Sequence, residues 1–162
     1  MANITKENTS NEAEYDCLKL ENQICFPLYA AANKVIKKYK SFLDELNLTY
    51  TQYITMMVMW SCKEINVKSL GECLFLDSGT LTPLLKKLEQ KGYIKRERSK
   101  RDERNLIVSI TEKGEMLKEK ASKVPGQVGK QFNLSYKEAS SLYKILYKLL
   151  KESWGDFLCM MW

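Results

Sequence analysis

Apolar residues recur at helical intervals from Cys17 to Leu46 (Leu20, Ile24, Leu28, Ala31, Val35, Tyr39, Phe42, Leu46) and predict one long amphipathic helix. Such a helix exceeds the mean of about 11–12 residues. A long apolar stripe in a small protein asks for a partner helix, expected here from a second subunit. Pro27 falls inside the stripe and removes the amide that would bond the Gln23 carbonyl, so a kink is expected there. Thr49-x-x-Gln52 reads as a capping box opening a second helix through Met56, Met57, Met59 and Trp60.

Asn66 is placed to cap a short helix, Val67 to Leu74, that buries Leu70 and Leu74. Asp77 and Ser78 are placed to cap the next, Gly79 to Lys91, with Gly92 as its left-handed stop. Two short helices joined by Phe75 and Leu76 have helix-turn-helix spacing. Tyr93–Arg98, Ser99–Glu103 and Arg104–Ile110 read as strand, charged turn and strand, with Leu106, Val108 and Ile110 alternating inward. Thr111 caps a helix to about Val124, where Pro125-Gly126 weakens it, and Ser135-x-x-Glu138 opens a last helix through Leu142, Leu146, Leu149 and Leu150.

The fold class is therefore mainly α with a small β-hairpin wing: a winged helix-turn-helix flanked by N- and C-terminal helices. The segments are a flexible arm (1–16), an N-terminal helix (17–48) whose apolar stripe asks for a partner subunit, the winged helix-turn-helix (49–111), C-terminal helices (112–153) and a hydrophobic tail (154–162) with Phe157, Leu158, Met160, Met161 and Trp162.

Composition narrows the chemistry. The 162 residues suit one domain. No apolar run approaches the ~18 residues of a membrane span, and the first residues lack a signal-peptide core. A cytoplasmic protein with no membrane association is expected. His is 0, which removes imidazole acid-base work, Ser-His and Cys-His catalysis and most zinc sites. The five Cys show no CxxC spacing, so reduced thiols are expected rather than a disulfide framework, with neither metal nor cofactor. Net charge is +6, and nine bases less four acids between Lys86 and Arg104 leave +5 of it in that stretch. An anionic partner is implied.

DNA fits that asymmetry. Ser78, Thr80 and Thr82 are short hydrogen-bond donors near a helix N-terminus, suited to base edges and phosphates in a major groove, and Lys86 and Lys87 follow one turn later. The turn Lys100-Arg101-Asp102-Glu103-Arg104 can set Arg101 or Arg104 in an A·T-rich minor groove, with Asp102 useful only if it pairs with an Arg and stiffens the tip. A hairpin whose charges merely stay hydrated is the plainer alternative.

LDSGTLTPLLKKLEQKGYIKR followed by DERNLIVSIT resembles the MarR family of winged-helix repressors, whose wing carries DxR, a short strand and Leu/Ile-Thr. LENQICFPLYAA with LDELNLTYTQY resembles its organic hydroperoxide regulator (OhrR) branch, and the close resemblance covers about Leu18 to Lys120. The resemblance implies a homodimer held by its terminal helices on pseudo-palindromic double-stranded DNA. It places DNA contacts at Ser78, Thr80, Thr82, Lys86 and Arg104, with Asp102 orienting the Arg. Half-sites about one helical turn apart follow from two-fold geometry.

Cys25 is the candidate sensor. At ~100° per residue Tyr29 lies one turn on and about 40° to one side; Tyr39 lies about 40° to the other side but ~21 Å along the axis. Tyr39 can therefore meet only the Cys25 of an antiparallel partner, and Tyr50, just past the helix, is placed to join it. Phenol hydroxyls that donate to a thiolate stabilise it. The resemblance assigns the same roles: a peroxide-sensing Cys with tyrosines from both subunits. It implies oxidation to a sulfenic acid by an organic hydroperoxide, condensation with a thiol, and loss of the operator. Phe26 and the Met-rich second helix would favour organic peroxides. An inert buried thiol is the bland alternative, and Glu21, four residues earlier, would oppose ionisation.

Cys62 and Cys73 are expected in the core. Thr111 to Ser153 holds no Cys, so a low-molecular-weight thiol is the expected resolving partner, with Cys17 and Cys159 as outside candidates. A repressor released by a small aromatic or anionic ligand is the competing function. An enzymatic thiol peroxidase is not expected, because no cation is placed to serve turnover.

Overall fold

A computed structural model of the chain describes residues 15–99, 102 and 105–151. Residues 1–14 of the predicted arm, Arg101, Glu103, Arg104, Cys159 and the hydrophobic tail lie outside the described residues. The chain separates into two compact units, Met1–Lys38 and Tyr39–Trp162.

The predicted helix from Cys17 is replaced by two 3-10 turns, Asp16–Leu18 and Leu20–Asn22, before α1 begins at Cys25 and runs to Asp44. The turns are tied by side chains. Asn22 Nδ2 donates to the Asp16 carbonyl at 2.8 Å and to its carboxylate at 3.2 Å, and Gln23 Nε2 donates to the Cys17 carbonyl. Pro27 explains the start. It has no N–H to give, a lack that is harmless only in the first turn, where amides have no helical acceptor. The expected kink therefore disappears, because Pro27 is the third residue of α1. Glu21 belongs to a turn, so the expected helical neighbour relation to Cys25 fails with it.

In the second unit α2 (Tyr50–Cys62) opens with the predicted capping box: the Gln52 N–H donates to Thr49 Oγ1 at 3.3 Å and the Thr49 N–H to Gln52 Oε1 at 3.1 Å. Met56, Met59, Tyr53 and Trp60 of α2 are buried with Leu43, Leu46 and Leu48. A strand that sequence patterning missed follows, β1 (Glu64–Asn66), then α3 (Val67–Leu74) and α4 (Ser78–Gln90). Asn66 caps α3, accepting from the Ser69 N–H at 2.8 Å, and Asp77 caps α4, accepting from the Thr80 N–H at 2.9 Å. Gly92 takes the left-handed φ of 75° that ends the helical segment.

The turn between α3 and α4 is tight. Phe75 is left-handed at φ 52°, the Leu76 N–H bonds the Gly71 carbonyl at 3.0 Å, and a Cβ on Gly71 would sit 2.9 Å from the Leu76 oxygen. Leu81, Leu84, Leu85 and Leu88 bury one face of α4 against Leu70 and the rest of the core, leaving the other face to solvent.

The wing is β2 (Ile94–Arg98) and β3 (Leu106–Ile110), antiparallel with Ile94 opposite Ile110 and Arg98 opposite Leu106. β1 pairs on the far side of β3, giving the order β1-β3-β2. Val108 is fully buried as expected, with Leu106 and Ile110 partly so. Thr111 caps α5 (Glu112–Ala121), accepting from the Gly114 N–H at 3.1 Å. Pro125 does not weaken that helix: it stands in the first turn of a separate one, α6 (Val124–Gly129), where its missing N–H costs nothing.

The last helix, α7 (Tyr136–Lys151), opens with the predicted Ser135–Glu138 box, in which the Ser135 N–H donates to Glu138 at 2.8 Å. Leu142, Tyr143, Ile145 and Leu149 on it are exposed. No helix among the described residues is long and apolar enough to cross a membrane.

Candidate functional site

The solvent face of α4 gathers every recognition residue expected on it: Ser78, Thr80, Thr82, Lys86 and Lys87 are all exposed. Two hydroxyls are already engaged, which qualifies their expected role as donors. Thr80 Oγ1 donates to Asp77 Oδ2 at 2.9 Å, and Thr82 Oγ1 donates to the Ser78 carbonyl at 2.8 Å. Each keeps acceptor lone pairs outward, while the Ser78 hydroxyl and the lysine ammoniums can donate. The Thr80 bonds hold the Asp77 carboxyl below its usual range.

Two bases counted in the cationic stretch serve the fold. Arg96 bonds Glu89 through its backbone N–H at 3.0 Å and through Nε at 3.0 Å and Nη2 at 2.5 Å, clamping β2 to the end of α4. The Arg96 side-chain bond depresses the Glu89 pKa below 4.5. Lys91 turns inward, donating to the Asn47 carbonyl at 2.6 Å and Gln52 Oε1 at 2.9 Å, and burial, then Lys87, lowers its pKa. Glu89 and Arg96 stand seven residues apart across a helix end and a strand, and the partners of Lys91 lie about forty residues upstream, so neither contact was visible in the pattern. At the wing, Asp102 accepts from Asn105 Nδ2 at 3.1 Å, and its carbonyl accepts the Asn105 N–H at 2.9 Å. Asn105, which sequence reasoning passed over, thus holds Asp102 through both its side chain and its backbone.

The tyrosines form a cluster. Tyr39 meets Tyr50 edge-on with ring centroids 5.0 Å apart, and Tyr53, unremarked in the sequence, stands 6.0 Å from Tyr39. Burial raises the pKa of all three phenols, Tyr53 to about 12, with Tyr39 adding to the effect on Tyr50 and Tyr53. They stay protonated, and so remain donors, throughout the neutral range.

In the first unit Cys25 is exposed on the first turn of α1, and Tyr29, one turn on, is 68% exposed. The alternative of a buried thiol does not hold within this unit. Ile24, Phe26, Leu28 and Ile36 leave the same region apolar and bare.

Two expectations need correction. Cys62 is not in the core: it is exposed at the end of α2, its thiol donating to the Val58 carbonyl at 3.1 Å, while Cys73 is half-buried against the core. Burial pushes both thiols up, Cys73 to about 11 with Cys62 beside it. Met56 and Met59 are fully buried and cannot line a peroxide site, which leaves Met57, 47% exposed, as the one of the three open to solvent.

Residues 37–121 match the transcriptional regulator SarA/Rot family. The organic hydroperoxide resistance transcriptional regulator of Bacillus subtilis is 47% identical over 140 residues, 86% of this chain and 95% of that protein. Among solved structures, reduced AbfR bound to DNA superposes with a TM-score of 0.71 at 32% identity, over 86% of this chain and 97% of that one; AbfR is from Staphylococcus epidermidis. A MarR mutant from E. coli complexed with operator DNA gives 0.70 at 25% identity, over 76% and 90%. The chain belongs to the MarR family of transcriptional regulators.

Membership explains why so little of the site resembles catalytic machinery. A MarR-family regulator is not an enzyme, and what its fold must do is hold one exposed helix and one hairpin at fixed angles. Here the tight approach at Gly71 joins α3 to the turn before α4, and the Glu89–Arg96 pair joins α4 to β2.

Proposed function

We propose that this protein is a dimeric transcriptional repressor of a pseudo-palindromic, A·T-rich operator, released when an organic hydroperoxide oxidises Cys25. The observation that carries the reading is the setting of Cys25. It is exposed at the start of α1, amid bare apolar side chains, in a chain 47% identical to an organic hydroperoxide resistance regulator. Bare apolar residues on both terminal helices support dimerisation through them. Ser78, Thr80, Thr82, Lys86 and Lys87 enter the major groove, and Arg101 and Arg104, with Asp102 at the tip, reach the adjacent minor groove.

The chemistry is a two-electron exchange. The Cys25 thiolate attacks the distal oxygen of the peroxide, the O–O bond breaks, and the departing alkoxide takes a proton to leave as an alcohol. Cys25 is left as a sulfenic acid. In the reduced dimer, Tyr39 and Tyr50 of one subunit and Tyr29 of the other donate to the thiolate. The enlarged, neutral group no longer accepts these bonds. Fully reversing a two-state equilibrium takes about 5.5 kcal/mol of preference, and several buried hydrogen bonds at ~1–3 kcal/mol each are of that size. α1 then shifts and the paired α4 helices lose their spacing on DNA.

A gel shift on the protein's own upstream DNA tests this. Reduced parent and Cys25→Ser should both bind, and cumene hydroperoxide should release only the parent. Equal release of both removes Cys25 from the mechanism and favours a ligand-released repressor.

A further inference from the structure

We propose that Cys17 is the thiol that closes a disulfide onto oxidised Cys25 within one chain, an inference that rests on the thiol-sensing reading above. In an unbroken helix the two residues would stand roughly 12 Å apart along the axis. A disulfide needs Cα atoms roughly 4.4–6.8 Å apart, so a rigid rod would forbid the bond. The structure breaks the rod. α1 starts at Cys25 itself, and everything between the two cysteines is turn: two 3-10 segments joined through Lys19, whose backbone is extended.

That turn is folded back on itself. Asn22 bonds Asp16, and Gln23, two residues before Cys25, reaches the Cys17 carbonyl with its side-chain amide. These ties bring the Cys17 backbone to the threshold of the helix. They are exposed contacts that water can replace, so the remaining approach requires turns to rearrange and no helix to unwind. Within the single chain both cysteines are exposed, and in the proposed dimer oxidation is the step that releases Cys25 from the phenols around it. The other described thiols are worse placed to compete, because burial raises the pKa of Cys62 and Cys73 and leaves them little thiolate.

The step balances without a further oxidant. The Cys17 sulfur attacks the Cys25 sulfenic sulfur, the S–S bond forms, the S–O bond breaks, and the hydroxide leaves as water with the Cys17 proton. Two thiols have then given two electrons to one peroxide. The closed loop protects Cys25 from a second peroxide, which would take it to the sulfinic acid.

The test uses reduced full-length protein, one equivalent of cumene hydroperoxide and no small thiol, followed by alkylation, trypsin and non-reducing mass spectrometry. Lys19 lies between the cysteines, so the bond appears as peptide 7–19 joined to peptide 20–34. The parent should show that pair and run as a single chain on a non-reducing gel. Cys17→Ser should instead accumulate Cys25 as a dimedone-reactive sulfenic acid, and under excess peroxide its sulfinic fraction should rise several-fold over the parent. Cys25 joined to Cys159, a disulfide between chains, or identical oxidation of parent and Cys17→Ser would overturn the inference while leaving the sensor intact. A Cys25 that no peroxide oxidises would instead overturn the proposed function.

Discussion

At the residue scale the second unit depends on two contacts that no hydrophobic pattern announces. Gly114 is one. Its carbonyl accepts the buried Trp60 Nε1–H at 2.9 Å, and a Cβ there would stand 2.2 Å from the Tyr93 carbonyl oxygen. Neither neighbour can yield, since one is backbone and the other ties α2 to α5. Gly114→Ala should cost about 1–3 kcal/mol in strain, and more if the Trp60 bond is lost. Since 1 kcal/mol moves the melting point of a chain this size by about 2–4 °C, a thermal scan should fall by several degrees; an unchanged melting point would refute the packing. Glu89 is the other. Arg96 holds its folded pKa below the ordinary 4.5, so its contribution to stability is complete above that value and is lost as pH falls through the folded pKa. Glu89→Gln should therefore melt below the parent at pH 7, with the gap closing as pH falls below the ordinary carboxylate range and through the lowered folded pKa. Because the pair is partly solvent-exposed, the gap at pH 7 should be small.

At the element scale the helix-turn-helix is set by how closely α3 approaches the turn that follows it. Gly71→Val should push the Leu76 carbonyl away, lower the melting point and misalign α4; the expected signature is operator affinity falling more steeply than folded fraction. Weakening of binding no greater than the loss of folded protein would show that the turn only stabilises. Elements of this kind were largely legible beforehand, because a cap is a local device. Thr49, Asn66, Asp77, Thr111 and Ser135 each mark a helix start within a residue or so. The misreadings have equally physical causes. β1 has three residues and exists only through its pairing with β3, which no window of sequence contains. Pro27 and Pro125 look in the sequence like damage to helices in progress, whereas both stand in first turns, where a missing N–H is free. In the candidate site, the exposed residues of α4 were legible because they are short polar side chains at a capped helix start, with lysines one turn on. The inward turn of Lys91, the Arg96 clamp and the addition of Tyr53 to the phenol cluster were not, since each depends on tertiary neighbours.

At the scale of the whole molecule the question is which positive charges face DNA, and ionic strength can answer it. Each phosphate a protein neutralises contributes about −0.9 to the slope of log K against log salt. A two-fold dimer loses two such contacts per substitution. Lys86, exposed on α4 as Ser78, Thr80 and Thr82 are, is expected to be a contact of this kind under the proposed function. Lys86→Ala should flatten the slope by about 2 and leave the melting point where it was. Lys91, one helical turn and a residue further on, carries the same formal charge but spends its ammonium on Asn47 and Gln52. Lys91→Ala should leave the slope untouched and destabilise the fold by about 1–3 kcal/mol, because Gln52, 3% exposed, loses a charged partner. The two substitutions remove identical charge from positions five residues apart, so net charge alone predicts the same outcome for both. If Lys91→Ala flattens the salt dependence as much as Lys86→Ala does, the basic stretch acts as a diffuse cationic cloud rather than as a surface aimed by its fold.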